Sequence, residues 1–248
     1  MRILLVCLDN LGDLAFCSAL VPPLRSAFPR ASISVWAKQY AAGLLPFIPG
    51  LARTHACDPF WDRAPGSQRG SVLGFLRILR AVAGEDYDTV LLPNTRWRTA
   101  LCAWAAGISR RVGFAQRGAG SWLSDVVAPE GRDRPVLSEW SRLLEPLKAA
   151  GGSISIHLEI PSSLEPARDE MRRRLASGRI IGIHPFAGDE RRAAPLQFWR
   201  EVLAGLRGSG VEKVLVAGRR DEARAFVSRV LRPDGLDLVV AAELASGG

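Results

Sequence analysis

Of the 33 basic residues in the 248-residue chain only three are lysine, Lys38, Lys148 and Lys213, and there are only three histidines, His55, His157 and His184. So few histidines argue against a His-rich metal centre. The four cysteines, Cys7, Cys17, Cys57 and Cys102, show no C-x-x-C spacing and match no His pair. That pattern excludes a zinc knuckle and a disulfide framework, and it predicts reduced, mostly buried thiols. No apolar run reaches the roughly 18 residues that a bilayer span needs, and no small-residue cleavage site follows the first apolar stretch. A cytoplasmic protein is expected. Internal repeats and low-complexity tracts are lacking as well.

A hydrophobic content of 48% is enough to build a real core. The net charge of +8 is spread evenly, with 18 basic against 14 acidic side chains in residues 1–165 and 15 against 11 in 166–248. Diffuse positive charge of this kind favours anionic partners without choosing among them.

Strand-like runs at Arg2–Leu8, Ser32–Trp36, Thr54–Cys57, Thr89–Leu92 and Arg111–Phe114 alternate with helix-like stretches at Leu14–Phe28, Val72–Val82 and Thr99–Ala106. Such alternation predicts parallel strands joined by crossover helices. A further helix over Val136–Ala149 leads into Gly151-Gly152 and Pro161-Ser162-Ser163, which read as a boundary. The alternation then restarts, with helices at Pro166–Ala176, Leu196–Leu206 and Glu222–Leu231 and strands at Ile180–His184, Lys213–Ala217 and Leu236–Val240. The expectation is two α/β domains, 1–163 and 164–248, the second incomplete with only three strands.

The first strand breaks at Asp9-Asn10-Leu11-Gly12-Asp13. One glycine is too few for a pyrophosphate-cradling turn, so this turn presents Asp13 instead. Two readings stand: Asp13 caps the following helix, or it is a carboxylate placed for chemistry at a strand's carboxyl end. The later turn, Ile183-His184-Pro185-Phe186-Ala187-Gly188-Asp189-Glu190-Arg191-Arg192, occupies the matching place in the second domain. Its small residues let backbone approach a ligand, and Arg191 with Arg192 can neutralise phosphate, or pair with Asp189 and Glu190 in a solvated loop. His184 can bond a ligand or serve the fold locally. Gly218 and Glu222 mark a third turn, where Glu222 faces a ribose or simply stabilises its helix. Arg96, Arg98, Arg110, Arg111 and Arg117, interleaved with Trp97 and Trp104, can hold an anionic acceptor or a nucleic-acid backbone; solvated arginines and core tryptophans are the plainer reading.

In their order, Leu8-Asp9-Asn10-Leu11-Gly12-Asp13 with Ala19-Leu20 and Pro23-Leu24-Arg25, then Tyr87–Leu92 with Arg98, Ala100 and Leu101, then Arg111-Val112-Gly113-Phe114, then Gly182-Ile183-His184-Pro185 with Arg191-Arg192, Pro195 and Phe198, the chain resembles glycosyltransferase family 9. These are the heptosyltransferase-like enzymes of lipopolysaccharide core assembly. The resemblance implies two Rossmann-like domains of the glycosyltransferase B type, the first binding acceptor and the second nucleotide-sugar. It implies an inverting transfer of a sugar, heptose by the family's habit, from a nucleotide-diphosphate donor such as ADP-heptose to an anionic glycolipid. Asp13 becomes the catalytic base. His184, Ala187, Arg191, Arg192, Gly218 and Glu222 become donor-binding, and Asn10, Gly12, Arg98 and Arg117 acceptor-binding. No metal, no further cofactor and no nucleic-acid partner is implied. Ala193 stands where the family pattern has Trp, and Phe186 where a small residue is usual. The family continues into an Asp-x-Gly-Pro-x-His stretch that this chain lacks, so the resemblance is to a C-terminally truncated member. The alternative is a non-catalytic binding module of the same fold.

Overall fold

The computed structural model describes all residues except 63–68, 132–133, 150–151, 176–177, 188–190, 192, 207, 231–236, 241–248 and the side chain at 174. The chain divides into two compact units, Met1–Glu159 and Ile160–Gly248. The division falls after Glu159 because residues 152–159 are still tied to the first unit. There the Glu159 N–H donates to the Phe47 carbonyl at 2.8 Å, and the His157 N–H to Ser18 Oγ at 3.0 Å.

In the first unit the elements are β1 (Arg2–Cys7), α1 (Leu11–Cys17), α2 (Val21–Ala27), β2 (Ser32–Ala37), β3 (Arg53–Ala56), α3 (Val72–Ala83), β4 (Thr89–Leu92), α4 (Trp97–Ala105), β5 (Arg110–Phe114), β6 (Asp125–Val127) and α5 (Val136–Ser141). All six strands are parallel, in the order β3-β2-β1-β4-β5-β6. A parallel sheet is covered on both faces, which is why β1 reads as an unbroken apolar run. Alternate residues divide between the two cores. Ile3, Leu5 and Cys7 pack with Leu14, Leu20 and Leu24 of α1, α2 and their link, and with Trp140 of α5. Leu4 and Val6 pack on the other face with Phe75 of α3 and Ala100 of α4. Helices on both faces with this strand order make a doubly wound Rossmann-like sheet, and the winding reverses between β1 and β4.

The single helix expected over Leu14–Phe28 is three pieces: α1, a 3-10 turn at Ser18–Leu20, and α2. Pro22 and Pro23 explain the break, because neither offers an N–H and each ring clashes with the carbonyl four residues back. The helix also starts earlier, at Leu11, because Asn10 rather than Asp13 is its capping residue. Similarly, the helix expected over Val136–Ala149 ends at Ser141 and tightens to 3-10 geometry over Arg142–Leu147, around Pro146. The three-residue β6 has too little pattern to be read from sequence; its pairing with β5 is a tertiary matter.

The second unit holds α6 (Glu165–Leu175), β7 (Arg179–Ile183), α7 (Leu196–Gly205), β8 (Val211–Val216), α8 (Arg220–Arg229) and β9 (Asp237–Val240). Its parallel sheet runs β7-β8-β9 over a core of Ile183, Leu203, Val214, Val216, Ala223 and Phe226.

Candidate functional site

Ligands of open α/β sheets collect at the carboxyl ends of strands where the winding reverses. In the first unit that place is the ends of β1 and β4, and it carries charge. Asp9, two residues past β1, is a buried carboxylate; Arg96, after β4, reaches it with Nη2 at 3.4 Å from Oδ1. Arg96 is held there because the buried Thr95 Oγ1 donates to the Leu92 carbonyl at 2.6 Å and accepts the Phe114 N–H at 2.8 Å. A side chain at Gly113 would lie 2.7 Å from that same oxygen, which is why the Arg-Val-Gly-Phe segment needs its glycine. Burial pushes the Asp9 carboxyl above its ordinary value; Arg96 and Lys38 pull it back down, and Asp13 and Asp62 push it further up. Lys38, one residue past β2, is only 3% exposed and pairs with Asp62 at 2.8 Å.

Asp13 sits in the first turn of α1, half-buried. Its Oδ2 accepts the Asn10 N–H at 3.0 Å, and among the described residues its other oxygen has no hydrogen bond. The two readings of Asp13 are therefore compatible, since one oxygen steadies the helix start while the other stays open. Asn10 Oδ1 accepts the Tyr40 hydroxyl at 3.2 Å, and that hydroxyl accepts the Leu11 N–H at 2.7 Å. Gly12 is exposed, with open space where a side chain would project.

The arginine cluster separates into two sets. Arg110 binds Asp125 at 3.2 Å, and Arg111 donates to the carbonyls of Trp122 and Ile108, both at 2.6 Å, so these two brace the fold. Arg98 and Arg117 are exposed. Arg98 lies over the Trp97 indole, 4.7 Å from its centroid, and Arg117 adopts left-handed backbone at φ 49°. No hydrogen bond or ion pair among the described residues joins either to Asp13. Trp97 and Trp104 are 42% and 54% exposed, so the core role expected for them is incorrect. Both stand on the solvent side of α4, where Trp104 meets the Trp122 ring edge-on at 5.3 Å.

Asp9, Lys38, Asp62 and Tyr40 had not been singled out from the sequence. A signal for two of them exists. Asp9 and Lys38 each end an apolar strand run abruptly, at the edge where a Rossmann-like sheet binds ligands.

In the second unit, His184 is exposed, with its ring edge-on to Phe186 at 5.8 Å. Ala187 and Arg191 are exposed too, while Arg192, like 188–190, lies outside the described residues. Gly218 has φ 154°, and a methyl there would collide with the Phe186 ring. Phe186 thus fills space that Gly218 leaves. Glu222, in the first turn of α8, pairs with Arg219 at 3.0 Å. A cavity of about 340 Å³ is lined by Pro185, Phe186, Leu196, Trp199, Glu222 and Phe226, and the buried Trp199 Nε1 has no hydrogen-bond partner among the described residues. Aromatic walls with one carboxylate, Glu222, and one guanidinium, Arg229, suit a flat ligand that carries hydroxyls or negative charge. No group of three or more His, Cys, Asp or Glu among the described residues is placed to hold a metal ion.

The fold and its charged sheet edge define a class, the Rossmann-like α/β proteins that bind ligands at strand carboxyl ends. The family follows from comparison. The model of glycosyltransferase family 9 (heptosyltransferase) matches residues 75–243, more than half of the chain, and the chain belongs to that family. No curated protein matches it. Among solved structures it resembles a family 9 glycosyl transferase from Veillonella parvula DSM 2008, with a TM-score of 0.73 at 16% identity, covering 96% of this chain and 68% of that one. It also resembles E. coli ADP-heptose lps heptosyltransferase II, with a TM-score of 0.70 at 17% identity, covering 98% of this chain and 73% of that one. For E. coli heptosyltransferase WaaC with ADP the TM-score is 0.65 at 14% identity, covering 96% and 74%. At these identities the structures speak for the fold alone.

Proposed function

We propose that the chain transfers a heptose from ADP-heptose to an anionic, lipopolysaccharide-core-like glycolipid, inverting the anomeric carbon. The observation that carries this reading is Asp13, set on the winding-reversal edge with Oδ2 pinned by the Asn10 N–H at 3.0 Å. A pinned carboxylate with one open oxygen suits a general base. In the reaction, that oxygen takes the acceptor hydroxyl proton as the acceptor oxygen bonds the anomeric carbon. The bond from that carbon to the diphosphate breaks, and ADP leaves with the electron pair. Arg191 and Arg192 neutralise the departing diphosphate, so no metal is required. His184, Ala187, Gly218 and Glu222 complete the donor site, with the cavity beside Trp199 receiving the nucleoside. Asn10, Gly12, Arg98 and Arg117 form the acceptor side.

The ADP of the WaaC structure and the family of the chain support a nucleotide-sugar donor. The glycolipid acceptor of this reading puts the reaction in the cytoplasm, at the inner-membrane surface; among the described residues no helix is long and apolar enough to cross a membrane. The test is calorimetric titration with ADP-heptose, followed by mass spectrometry of a heptose-deficient core glycolipid incubated with both. Binding and a product one heptose heavier are expected. No donor binding would refute the reading, and donor binding without product would point to the non-catalytic binding module instead.

A further inference from the structure

Helix α3 has one face that the fold explains and one that it does not. Ser71 Oγ accepts the Gly74 N–H at 3.3 Å to start the helix, and Phe75 and Val82 anchor it in the core with Ile78 and Leu79 against them. The opposite arc holds Val72, Leu73, Leu76, Arg77 and Arg80. Leu73 is 77% exposed, Val72 50% and Leu76 49%. Single exposed leucines need no explanation, but three aliphatic side chains together on one turn do. Residues 63–84 contain four arginines and no acidic residue, half of the chain's net charge of +8. Of these, Arg69, Arg77 and Arg80 are exposed and make no ion pair among the described residues.

We infer that this face of α3 is a docking surface for an anionic lipid bilayer, with Val72, Leu73 and Leu76 entering the interface while Arg69, Arg77 and Arg80 meet headgroup phosphates. Aliphatic residues flanked by unpaired arginines are the composition of interfacial helices. A second copy of the chain fits poorly. A two-fold contact on this patch would bring arginines against arginines, and three aliphatic side chains fall far short of the ~800 Å² per partner that a stable dimer buries. The inference deepens the glycolipid-acceptor reading, yet its test does not need transfer to occur.

The experiment is co-sedimentation of the full chain with vesicles of phosphatidylcholine plus phosphatidylglycerol and with vesicles of phosphatidylcholine alone. Binding to the anionic vesicles only is expected, weakening as salt rises. Arg77→Glu with Arg80→Glu should lower the partition coefficient at least about tenfold, since each basic residue near an anionic surface contributes a several-fold factor. Leu73→Glu should weaken binding by a similar factor, whereas Trp104→Ala, an exposed aromatic on α4, should leave it unchanged. All these side chains are exposed, so thermal melts should stay close to wild type. Equal binding by the wild type and the α3 variants, or no vesicle binding at all, would overturn the inference. So would a concentration-dependent dimer in sedimentation equilibrium that Leu73→Glu dissolves. Vesicle binding without heptose transfer would leave it standing and count against the proposed transfer alone.

Discussion

Asp13 is asked to do two jobs with two oxygens, and substitutions can separate them. In Asp13→Asn the side-chain carbonyl can still accept the Asn10 N–H that Oδ2 accepts at 3.0 Å. The helix start then loses only the attraction between a carboxylate and the helix dipole, about 0.3–1 kcal/mol. The amide cannot take the acceptor's proton, and losing a positioned general base costs about 10²–10⁴ in rate, or roughly 3–5 kcal/mol of transition-state stabilisation. Asp13→Ala loses the hydrogen bond as well, adding about 0.5–2 kcal/mol to its stability cost. For a unit of this size each kcal/mol moves the melting temperature by roughly 2–4 °C. The measurements are heptose transfer from ADP-heptose under donor saturation and thermal unfolding followed by tryptophan fluorescence. Asp13→Asn should melt within a few degrees of wild type while kcat collapses and the acceptor KM changes little. Asp13→Ala should be equally inactive and measurably less stable. If Asp13→Asn turned over within about threefold of wild type, Asp13 would be a helix-start residue and nothing more.

Three further outcomes follow from the packing. Asp62→Asn leaves Lys38, 3% exposed, without its carboxylate, and because Asp62 is itself 36% exposed the cost in urea unfolding should be that of a hydrogen bond to a charged group, about 1.5–3 kcal/mol. Lys38→Met removes the buried charge itself and leaves Asp62 partly in water, so it should cost less; the reverse ranking would refute the pairing argument. Because burial holds Asp9 above its unfolded value, its contribution to stability is fully present below that unfolded value, about 3.9, and is lost as pH rises through the folded one. Asp9→Asn, which resembles the protonated acid, should therefore gain on wild type as pH rises from about 4 and hold that gain above the folded value; a parallel pair of pH profiles would contradict this. Gly218→Ala adds a methyl against Phe186 at φ 154° and should cost about 1–3 kcal/mol in the second unit, together with a raised KM for ADP-heptose if that turn binds the donor.

What could be read in advance divides along physical lines. The central strands of the first sheet, β1, β2 and β4, were legible to within a residue or so, because a parallel strand buried on both faces is largely apolar; the edge strand β6 was not. Thr89–Leu92 is observed where it was expected, and the β1 run ends one residue early, at Cys7. Helix limits were less legible at the prolines: Pro22 and Pro23 were visible, but whether the chain would bend or stop there depended on packing against β1 and β2. The carboxylate Asp13 was found, and its true partner Asn10 was within the same motif. Arg110 and Arg111 read from sequence as anion holders or solvated arginines and are neither, because only the path of the chain around β6 brings the carbonyl of Trp122 and the carboxylate of Asp125 to them.

Residue order by itself determined the parallel α/β architecture, the turn that presents Asp13 and the family, since apolar period, strand-ending charge and motif succession are local properties of the chain. Tertiary structure alone decided which charges meet. Asp9 and Arg96 are 87 residues apart and Lys38 and Asp62 are 24 apart, yet each pair is joined at a strand end. Their contact depends on strand order, and strand order is settled by how the helices cover both faces of the sheet. That is also why the exposed arc of α3 was invisible beforehand. An apolar helix reads the same whether its outer leucines face a core or open water, and only the packed sheet shows which of them it left uncovered.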